Sequence, residues 1–219
     1  MNKKDKLNII YEDKDLLVIN KPEKLLTIST NNEKEKTLFH KVITYVKKKN
    51  QKVFIVHRLD KDTSGIVVFA KSESLKKKLQ DNWDNLAKIR EYVAVVEGHP
   101  IKNEGIVSSY LKETKTLYVY SSSKRGDGKK AITHYRKIAG NDKYTMLVIN
   151  IDTGRKNQIR VHMKDLDCPI VGDKKYEAKS NPINRMALHA NKLVLINPKT
   201  NKEMTFETDI PNNFINLIK

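Results

Sequence analysis

The stretch VFIVHRLDKDTSGIVVFA, residues 53–70, decides how this sequence is interpreted. Its two apolar runs, Val53–Val56 and Gly65–Ala70, have the composition of β-strands, and a polar segment separates them. Such a segment forms a loop at the edge of a sheet, where functional groups are commonly displayed on a rigid base. Asp60 lies in this loop among cationic neighbours, which favour an ionised carboxylate able to act as a nucleophile or a base.

The same loop also fits a simpler role. The side chains of Asp60, Asp62, Thr63 and Ser64 could cap a turn by bonding to nearby backbone groups. Local chemistry alone leaves both interpretations open.

A second polar group occupies residues 153–162, TGRKNQIRVH, where a strand ends, a glycine permits a turn and a helix over Gln158–Lys164 begins. A helix start offers backbone N–H groups to phosphate, and Arg155 and Arg160 can add bidentate contacts. The spacing suits nucleic acid, although a solvated amphipathic helix would show the same spacing.

The charge balance points to a polyanionic partner. Lys and Arg total 43 against 26 Asp and Glu, a formal net charge of +17 with a pI of about 9.7. A lysine-rich solvated surface is the alternative explanation. Only seven of the cations are arginines. Those that fall within the motifs discussed here are Arg58, Arg155, Arg160 and Arg185. This placement favours specific roles in binding nucleic acid.

Several classes of chemistry lack support. Cys168 is the single cysteine, which excludes an internal disulfide and a thiolate metal cluster and suits a reducing cytoplasm. The six histidines show no metal-ligand spacing, and no glycine-rich phosphate loop is present. The charged start, Met1–Lys6, and the lack of a long apolar run indicate no signal peptide and no membrane span. We expect a cytoplasmic monomer without cofactor or metal.

Strands and helices interleave without the regular alternation of a doubly wound parallel sheet, which predicts an α+β fold in a single domain over residues 1–219. The predicted strands are Leu16–Asn20, Val53–Val56, Gly65–Ala70, Tyr92–Glu97, Ile132–Lys137 and Tyr144–Ile151. Thr37 and Ser72 are the expected N-caps of two helices, the second reaching Trp83, and a last short helix follows Pro211. We expect two exposed segments, Asn31–Lys36 and Ser121–Lys130; the second is either an RNA-contacting basic loop or a surface loop.

An ordered set of motifs spans nearly the whole chain and resembles the RluA family of RNA pseudouridine synthases. The motifs are YEDKDLLVINKP (residues 11–22), HRLDKDTSGIVVFAKS (57–72), REYVAVVEG (90–98), TGRKNQIRVHM (153–163), VGD (171–173), RMALHA (185–190) and Pro211. The HRLDxxTSG box is highly specific, and its occurrence in order with the others makes chance similarity negligible.

The resemblance implies a pseudouridine synthase fold, a mixed, mainly antiparallel central sheet flanked by helices and loops around a catalytic cleft. It implies that Asp60 attacks the target uridine, that Tyr92 packs on the base and assists proton removal from C5, and that Arg160 pairs with Asp60. By the same resemblance, Leu188 lines the base pocket and Arg58 fills the gap left by the flipped nucleotide. Further substrate contacts are expected from His57, Arg155 and Gln158. The implied partner is structured transfer RNA, large-subunit ribosomal RNA, or both.

Two departures from the family pattern stand out. Lys156 and Asn157 replace the usual Thr-His, which predicts altered RNA contacts without loss of catalysis. About nine residues precede the first motif, so no separate N-terminal RNA-binding module is expected. The alternative function is a catalytically silent RNA-binding or ribosome-assembly factor on the same fold. Metal-dependent RNA hydrolysis through His57 and Asp60 is a weaker third hypothesis.

Overall fold

A computed structural model describes residues 7–29 and 36–219. Within these ranges the chain combines eleven strands with five α-helices, which confirms the predicted α+β class. The predicted exposed segment Asn31–Lys36 lies, except for Lys36, outside the described residues.

The chain divides into two compact units. The first comprises Met1–Ile89 and Ala190–Asp209, and the second comprises Arg90–His189 and Ile210–Lys219. The single catalytic domain stays a prediction.

The first unit is built on antiparallel strand pairs. Its elements are β1 (Ile9–Glu12), β2 (Leu16–Lys21), α1 (Leu38–Lys47), β3 (Phe54–Ile55), β4 (Ser64–Ala70), α2 (Glu73–Asp81), α3 (Trp83–Leu86), most of β10 (Leu188–Ile196) and β11 (Glu203–Glu207). Strand β2 lies between β1 and β4, β3 pairs with the far end of β4, and β11 pairs with β10. Every residue of β4 is buried, as expected of a strand covered on both faces.

The second unit contains a five-stranded antiparallel sheet. Its elements are most of β5 (Ala87–Glu97), then β6 (Glu104–Glu113), β7 (Val119–Ser122), β8 (Lys129–Gly140), β9 (Tyr144–Ile151), α4 (Gln158–Asp165), a 3₁₀ turn (Lys174–Tyr176) and α5 (Asn212–Ile218). The strand order is β5-β9-β8-β6-β7. Helix α4 buries Ile159 and Met163 in the core of this unit.

Local sequence explains the helix starts. The Thr37 hydroxyl accepts a hydrogen bond from the backbone of His40, and Ser72 caps α2 in the same way through Leu75. Both predicted N-caps are confirmed. The second predicted helix instead breaks at Asn82, so that Trp83 begins the separate helix α3.

Each unit has its own apolar core. Leu16, Val68, Leu75 and Leu195 are central to the first, and Val95, Leu147, Met163 and Phe214 to the second. Cys168 is buried in the second core, and burial raises the pKa of its thiol.

Some strand predictions were incomplete. Strands β5 and β8 extend well beyond the apolar runs Tyr92–Glu97 and Ile132–Lys137, and β1, β6, β7, β10 and β11 were not predicted. In the predicted exposed segment Ser121–Lys130, β7 ends at Ser122 and β8 begins at Lys129, so only its centre is a turn.

Candidate active site

Asp60 lies in the loop between β3 and β4 and is partly buried. Its carbonyl accepts a hydrogen bond of 3.2 Å from the backbone N–H of Thr63, which closes a turn, and the preceding Leu59 is buried. The polar segment is therefore an ordered turn whose base is fixed in the first unit.

Two residues from outside the loop form hydrogen bonds with its backbone on either side of Asp60. The Thr27 hydroxyl donates to the Leu59 carbonyl at 2.8 Å and accepts from the Leu59 N–H at 3.2 Å. The fully buried Lys21 ammonium donates to the carbonyls of Lys61, Pro22 and Leu25 at 3.1, 3.0 and 2.7 Å. Charge-assisted bonds of this kind satisfy a buried cation and fix the chain that bears the acceptors.

The other loop residues predicted to meet substrate differ in exposure. Arg58 is exposed. His57 is partly buried, stacks on Trp83 with ring centroids 4.6 Å apart, and accepts a 3.1 Å hydrogen bond at Nε2 from the N–H of Val68. This bond places the proton of the neutral imidazole on Nδ1. His57 thus ties the loop to β4 and α3, and Arg58 remains accessible to a ligand.

Tyr92 and Leu188 belong to the second unit. Tyr92 lies on β5 opposite Ile149 of β9 and packs, partly buried, against the core of that unit. Leu188 is buried at the first position of β10. Its carbonyl lies 3.4 Å from a donating guanidinium nitrogen of Arg185, whose cation lies over the Phe214 ring at 4.9 Å.

Arg160 projects from α4 into a set of polar and aromatic groups in the second unit. Its Nε and Nη2 donate to the two carboxylate oxygens of Asp173, each at 2.7 Å, and its Nη1 donates to the Asn157 amide oxygen at 3.0 Å. The ring of Tyr176 lies 4.9 Å from the guanidinium carbon.

The two residues that depart from the family pattern have separate partners. Lys156 forms an ion pair with Glu113 of β6. Asn157 is buried at the residue before α4 with a positive φ of 55°, a conformation that asparagine tolerates better than most residues. Its amide bridges Arg160 and the Tyr176 hydroxyl, the latter at 3.0 Å. The Asn157 side chain thus contacts protein groups, whereas the sequence predicted an altered RNA contact.

A buried polar network fixes the start of α4. The Gln158 amide oxygen accepts from the Thr153 hydroxyl and the Arg155 N–H, and its nitrogen donates to the Ile132 carbonyl and the Thr133 hydroxyl. Both polar atoms of the Gln158 side chain are therefore engaged inside the protein. Arg155 lies beside it, and its Nε donates to the Lys130 carbonyl at 3.0 Å.

His162 continues this network toward β6. Its ring nitrogens lie 2.8 Å from the Thr133 hydroxyl and 2.9 Å from the Ser109 hydroxyl. Burial lowers the pKa of His162 to about 4, so the ring is neutral at physiological pH. A neutral imidazole between two hydroxyls joins α4 to β8 and β6 without a buried charge.

The predicted site residues fall into two sets. His57, Arg58 and Asp60 belong to the first unit, and the second unit contains Tyr92, Arg155, Gln158, Arg160 and Leu188. Within the described residues, no group of three or more His, Cys, Asp or Glu side chains could hold a metal ion, and no helix has the length and hydropathy of a membrane span.

Comparison with known proteins identifies the chemistry. A sequence model of the RNA pseudouridylate synthases matches residues 15–165, a segment that contains the Asp60 loop, Tyr92 and Arg160. The chain belongs to this family. The resemblance to its RluA branch is confirmed by relatives that align with most of the chain, and the protein is an RNA pseudouridine synthase, an isomerase.

An uncharacterized RNA pseudouridine synthase of Bacillus subtilis is 34% identical to this enzyme over 97% of this chain and 76% of its own length. Ribosomal large subunit pseudouridine synthase D of Buchnera aphidicola is 36% identical over 97% of this chain and 71% of its own. Ribosomal large subunit pseudouridine synthase C of Rickettsia felis is 37% identical over 93% of this chain and 67% of its own length.

Solved structures agree on the fold. Human RNA Pseudouridylate Synthase Domain Containing 4 superposes with a TM-score of 0.78 at 22% identity, covering 95% of this chain and 90% of its own. Human RNA Pseudouridylate Synthase Domain Containing 1 superposes with a TM-score of 0.79 at 22% identity, covering 96% of this chain and 86% of its own. At this identity the likeness confirms the predicted pseudouridine synthase fold.

Sequence reasoning missed the residues of this pseudouridine synthase that support the site. Lys21 and Asp173 lie inside motifs that we quoted, yet no role was assigned to them. Thr27 and Tyr176 carry no local signal, because their roles depend on contacts with Leu59 and Asn157 that only the folded chain creates.

Proposed function

We propose that this enzyme isomerises one or more uridines of large-subunit ribosomal RNA, with Asp60 as its nucleophile. The observation that carries the proposal is the HRLDKDTSG loop, residues 57–65, inside the segment that matches the family. The ribosomal target is supported by relatives named ribosomal large subunit pseudouridine synthases C and D, which align with at least 93% of this chain. A cytoplasmic monomer stays a prediction.

In the proposed reaction the Asp60 carboxylate attacks the target nucleotide at C1′ or C6, and the N1–C1′ bond of uridine breaks. The uracil turns and is rejoined to the ribose through C5, and the bond to Asp60 breaks, which returns the free carboxylate. C5 then loses its proton and N1 takes one up. Substrate and product are isomers, so the sequence needs no oxidant. Tyr92 is proposed to pack on the uracil and assist removal of the C5 proton.

We assign to Arg160 the role of pairing with Asp60 and fixing the direction of its carboxylate. The support is its own fixation, because Asp173, Asn157 and the Tyr176 ring hold its guanidinium. A group that is oriented before the substrate arrives removes reorganisation from the chemical step.

Binding requires that the target base leave its stack, which costs roughly a few kcal/mol in lost stacking and pairing. The proposed compensation is insertion of Arg58 into the gap and packing of Tyr92 and Leu188 around the base. The exposure of Arg58 supports its role. For Gln158, the engaged amide supports a structural role over the predicted RNA contact.

Mapping pseudouridine in a strain that lacks the gene tests this proposal. We expect one or more pseudouridines of large-subunit ribosomal RNA to disappear and to return with the wild-type gene, but not with Asp60→Asn. If the missing modification lies only in transfer RNA, the target assignment is wrong and the chemistry stands. If no RNA loses a pseudouridine, the catalytically silent factor gains support.

A further inference from the structure

The guanidinium of Arg160 is held on several sides, and Asn157 links it to a further anchored side chain. The Asp173 carboxylate accepts two hydrogen bonds of 2.7 Å, from Nε and Nη2 of the guanidinium. The Asn157 amide oxygen accepts a hydrogen bond from Nη1 at 3.0 Å, and its amide nitrogen donates to the Tyr176 hydroxyl at 3.0 Å.

Tyr176 is itself immobilised. Only 1% of its surface is exposed, its hydroxyl lies 3.4 Å from the donating N–H of Val119 on β7, and its ring lies beside that of Tyr118 with centroids 5.2 Å apart. The same ring faces the Arg160 guanidinium at 4.9 Å. Tyr176 therefore fixes Asn157 through its hydroxyl and packs against Arg160 through its ring.

Asparagine suits position 157 for two separate reasons. Its backbone is in the left-handed region, with φ 55° and ψ 17°, where asparagine is several-fold enriched over most other non-glycine residues. Its amide also offers an acceptor and a donor on one short side chain, which lets it accept from Arg160 and donate to Tyr176 at once. With 6% exposure, the residue contributes little surface to a ligand.

We propose that Asn157 is a positioning residue, which with Tyr176 fixes the orientation of the Arg160 guanidinium for the pseudouridylation reaction. This inference rests on the proposed catalytic role of Arg160. It assigns the departure from the family pattern at this position to catalytic alignment within the protein, in place of altered RNA contact.

The test is Asn157→Gly, because glycine keeps the left-handed backbone without strain and deletes only the amide. Asn201→Gly is the matched control, since Asn201 has φ 54° and lies exposed in the first unit. We would measure tritium release from transcripts of large-subunit ribosomal RNA that carry C5-tritiated uridine. Asn157→Gly should lower kcat about tenfold with KM changed less than about twofold, and Asn201→Gly should change neither value.

Tyr176→Phe keeps the ring beside Arg160 and removes the hydroxyl that anchors Asn157. It should lower kcat about threefold, and the double variant with Asn157→Gly should lose no more than Asn157→Gly alone, because both changes break one chain of contacts. A raised KM with unchanged kcat in Asn157→Gly would show an RNA contact and overturn the proposal. So would unchanged values of both constants, or additive losses in the double variant.

A spectroscopic readout separates this inference from the proposed function. The protein has seven arginines, so the Nε–H resonance of Arg160 can be assigned by its disappearance in Arg160→Lys. The resonance should move or broaden in Asn157→Gly and stay in place in Asn201→Gly. An unmoved resonance in Asn157→Gly would overturn the positioning role even if no RNA is turned over. Turnover by Asp60→Asn in the tritium assay would instead overturn the proposed nucleophile.

Discussion

Asp60 in the first unit and Arg160 in the second differ in how far away in sequence their supporting residues lie. The contacts of Thr27 and Lys21 with the backbone beside Asp60 span 32 and 40 residues of sequence. Arg160 is held through its own guanidinium by Asn157 and Asp173, which are 3 and 13 residues away. The Asp60 loop is therefore held by tertiary contacts of its backbone, whereas these bonds of Arg160 are made by its side chain to residues nearer in sequence.

The comparison predicts that the base of the Asp60 loop is the more vulnerable to a change in backbone. Gly65, the second residue of β4, has φ 116°, and a Cβ at this position would lie 2.2 Å from the carbonyl oxygen of Ala190. Gly65→Ala should reduce the free energy of unfolding by at least about 4 kcal/mol, measured by urea denaturation. Gly98→Ala is the control, because Gly98 has φ 68° with nothing near the added Cβ and should lose only about 1 kcal/mol. Equal losses would show that backbone strain alone matters.

Acidification should lower the folding stability through the second unit, which contains both His162 and His189. Burial lowers the pKa of each to about 4, below the ordinary value of 6.5. The unfolded chain therefore binds these protons first as the pH falls, and stability present above pH 6.5 is lost between pH 6.5 and 4. At pH 5.5 the loss should be about 1.4 kcal/mol for each histidine, or roughly 3 kcal/mol in total.

Urea denaturation at pH 7.5 and 5.5 checks this expectation, and His162→Asn should remove about half of the difference. Burial alone would raise the pKa of Glu12, but its bonds to Lys71, Tyr45 and Lys49 lower it to about 2. The stability that Glu12 contributes is therefore present above pH 4.5 and is lost only below that pH, outside the window measured here. Equal stability at the two pH values would contradict the assignment of neutral buried histidines.

The hydroxyl of Thr27 should have the smallest effect on folding and a separate effect on catalysis. Thr27→Val keeps the shape of the side chain and leaves the Leu59 backbone without these two bonds, which should lower stability by about 1–2 kcal/mol. Because Leu59 precedes Asp60, kcat should also fall in the tritium assay while KM for RNA holds. Thr44→Val, which removes an exposed hydroxyl bonded to the His40 carbonyl, is the control. A normal kcat in Thr27→Val would show that the two hydrogen bonds between Thr27 and Leu59 do not align Asp60.

Elements with a strong local signal could be predicted from the sequence. Strands β2 and β4 each contain a continuous apolar run, LLVI and IVVFA, and the side chains that cap α1 and α2 immediately precede their helices. The edge strands could not be predicted, because β6 exposes much of its length and its sequence, EGIVSSYLKE, mixes charged and apolar residues. Its strand state comes from pairing with β8 and β7.

The same division holds at the candidate site. Motif order identified the family of the enzyme, which the comparisons confirm, and the role of Asp60 stays a prediction. The supports of Arg160 escaped prediction, because a motif identifies residue types but not which buried groups meet. Asn157 illustrates the point: its replacement of the usual residue was visible in the sequence, and its contact with Tyr176 depends on the fold.

We propose that the Asp60 carboxylate performs the isomerisation. The most direct test of this proposal is tritium release from C5-tritiated uridine RNA by purified wild-type protein, Asp60→Asn and Asp62→Asn. Asp62 is partly buried in the same loop and is the matched control. We expect release by the wild-type and Asp62→Asn proteins and none by Asp60→Asn. Normal release by Asp60→Asn would contradict it.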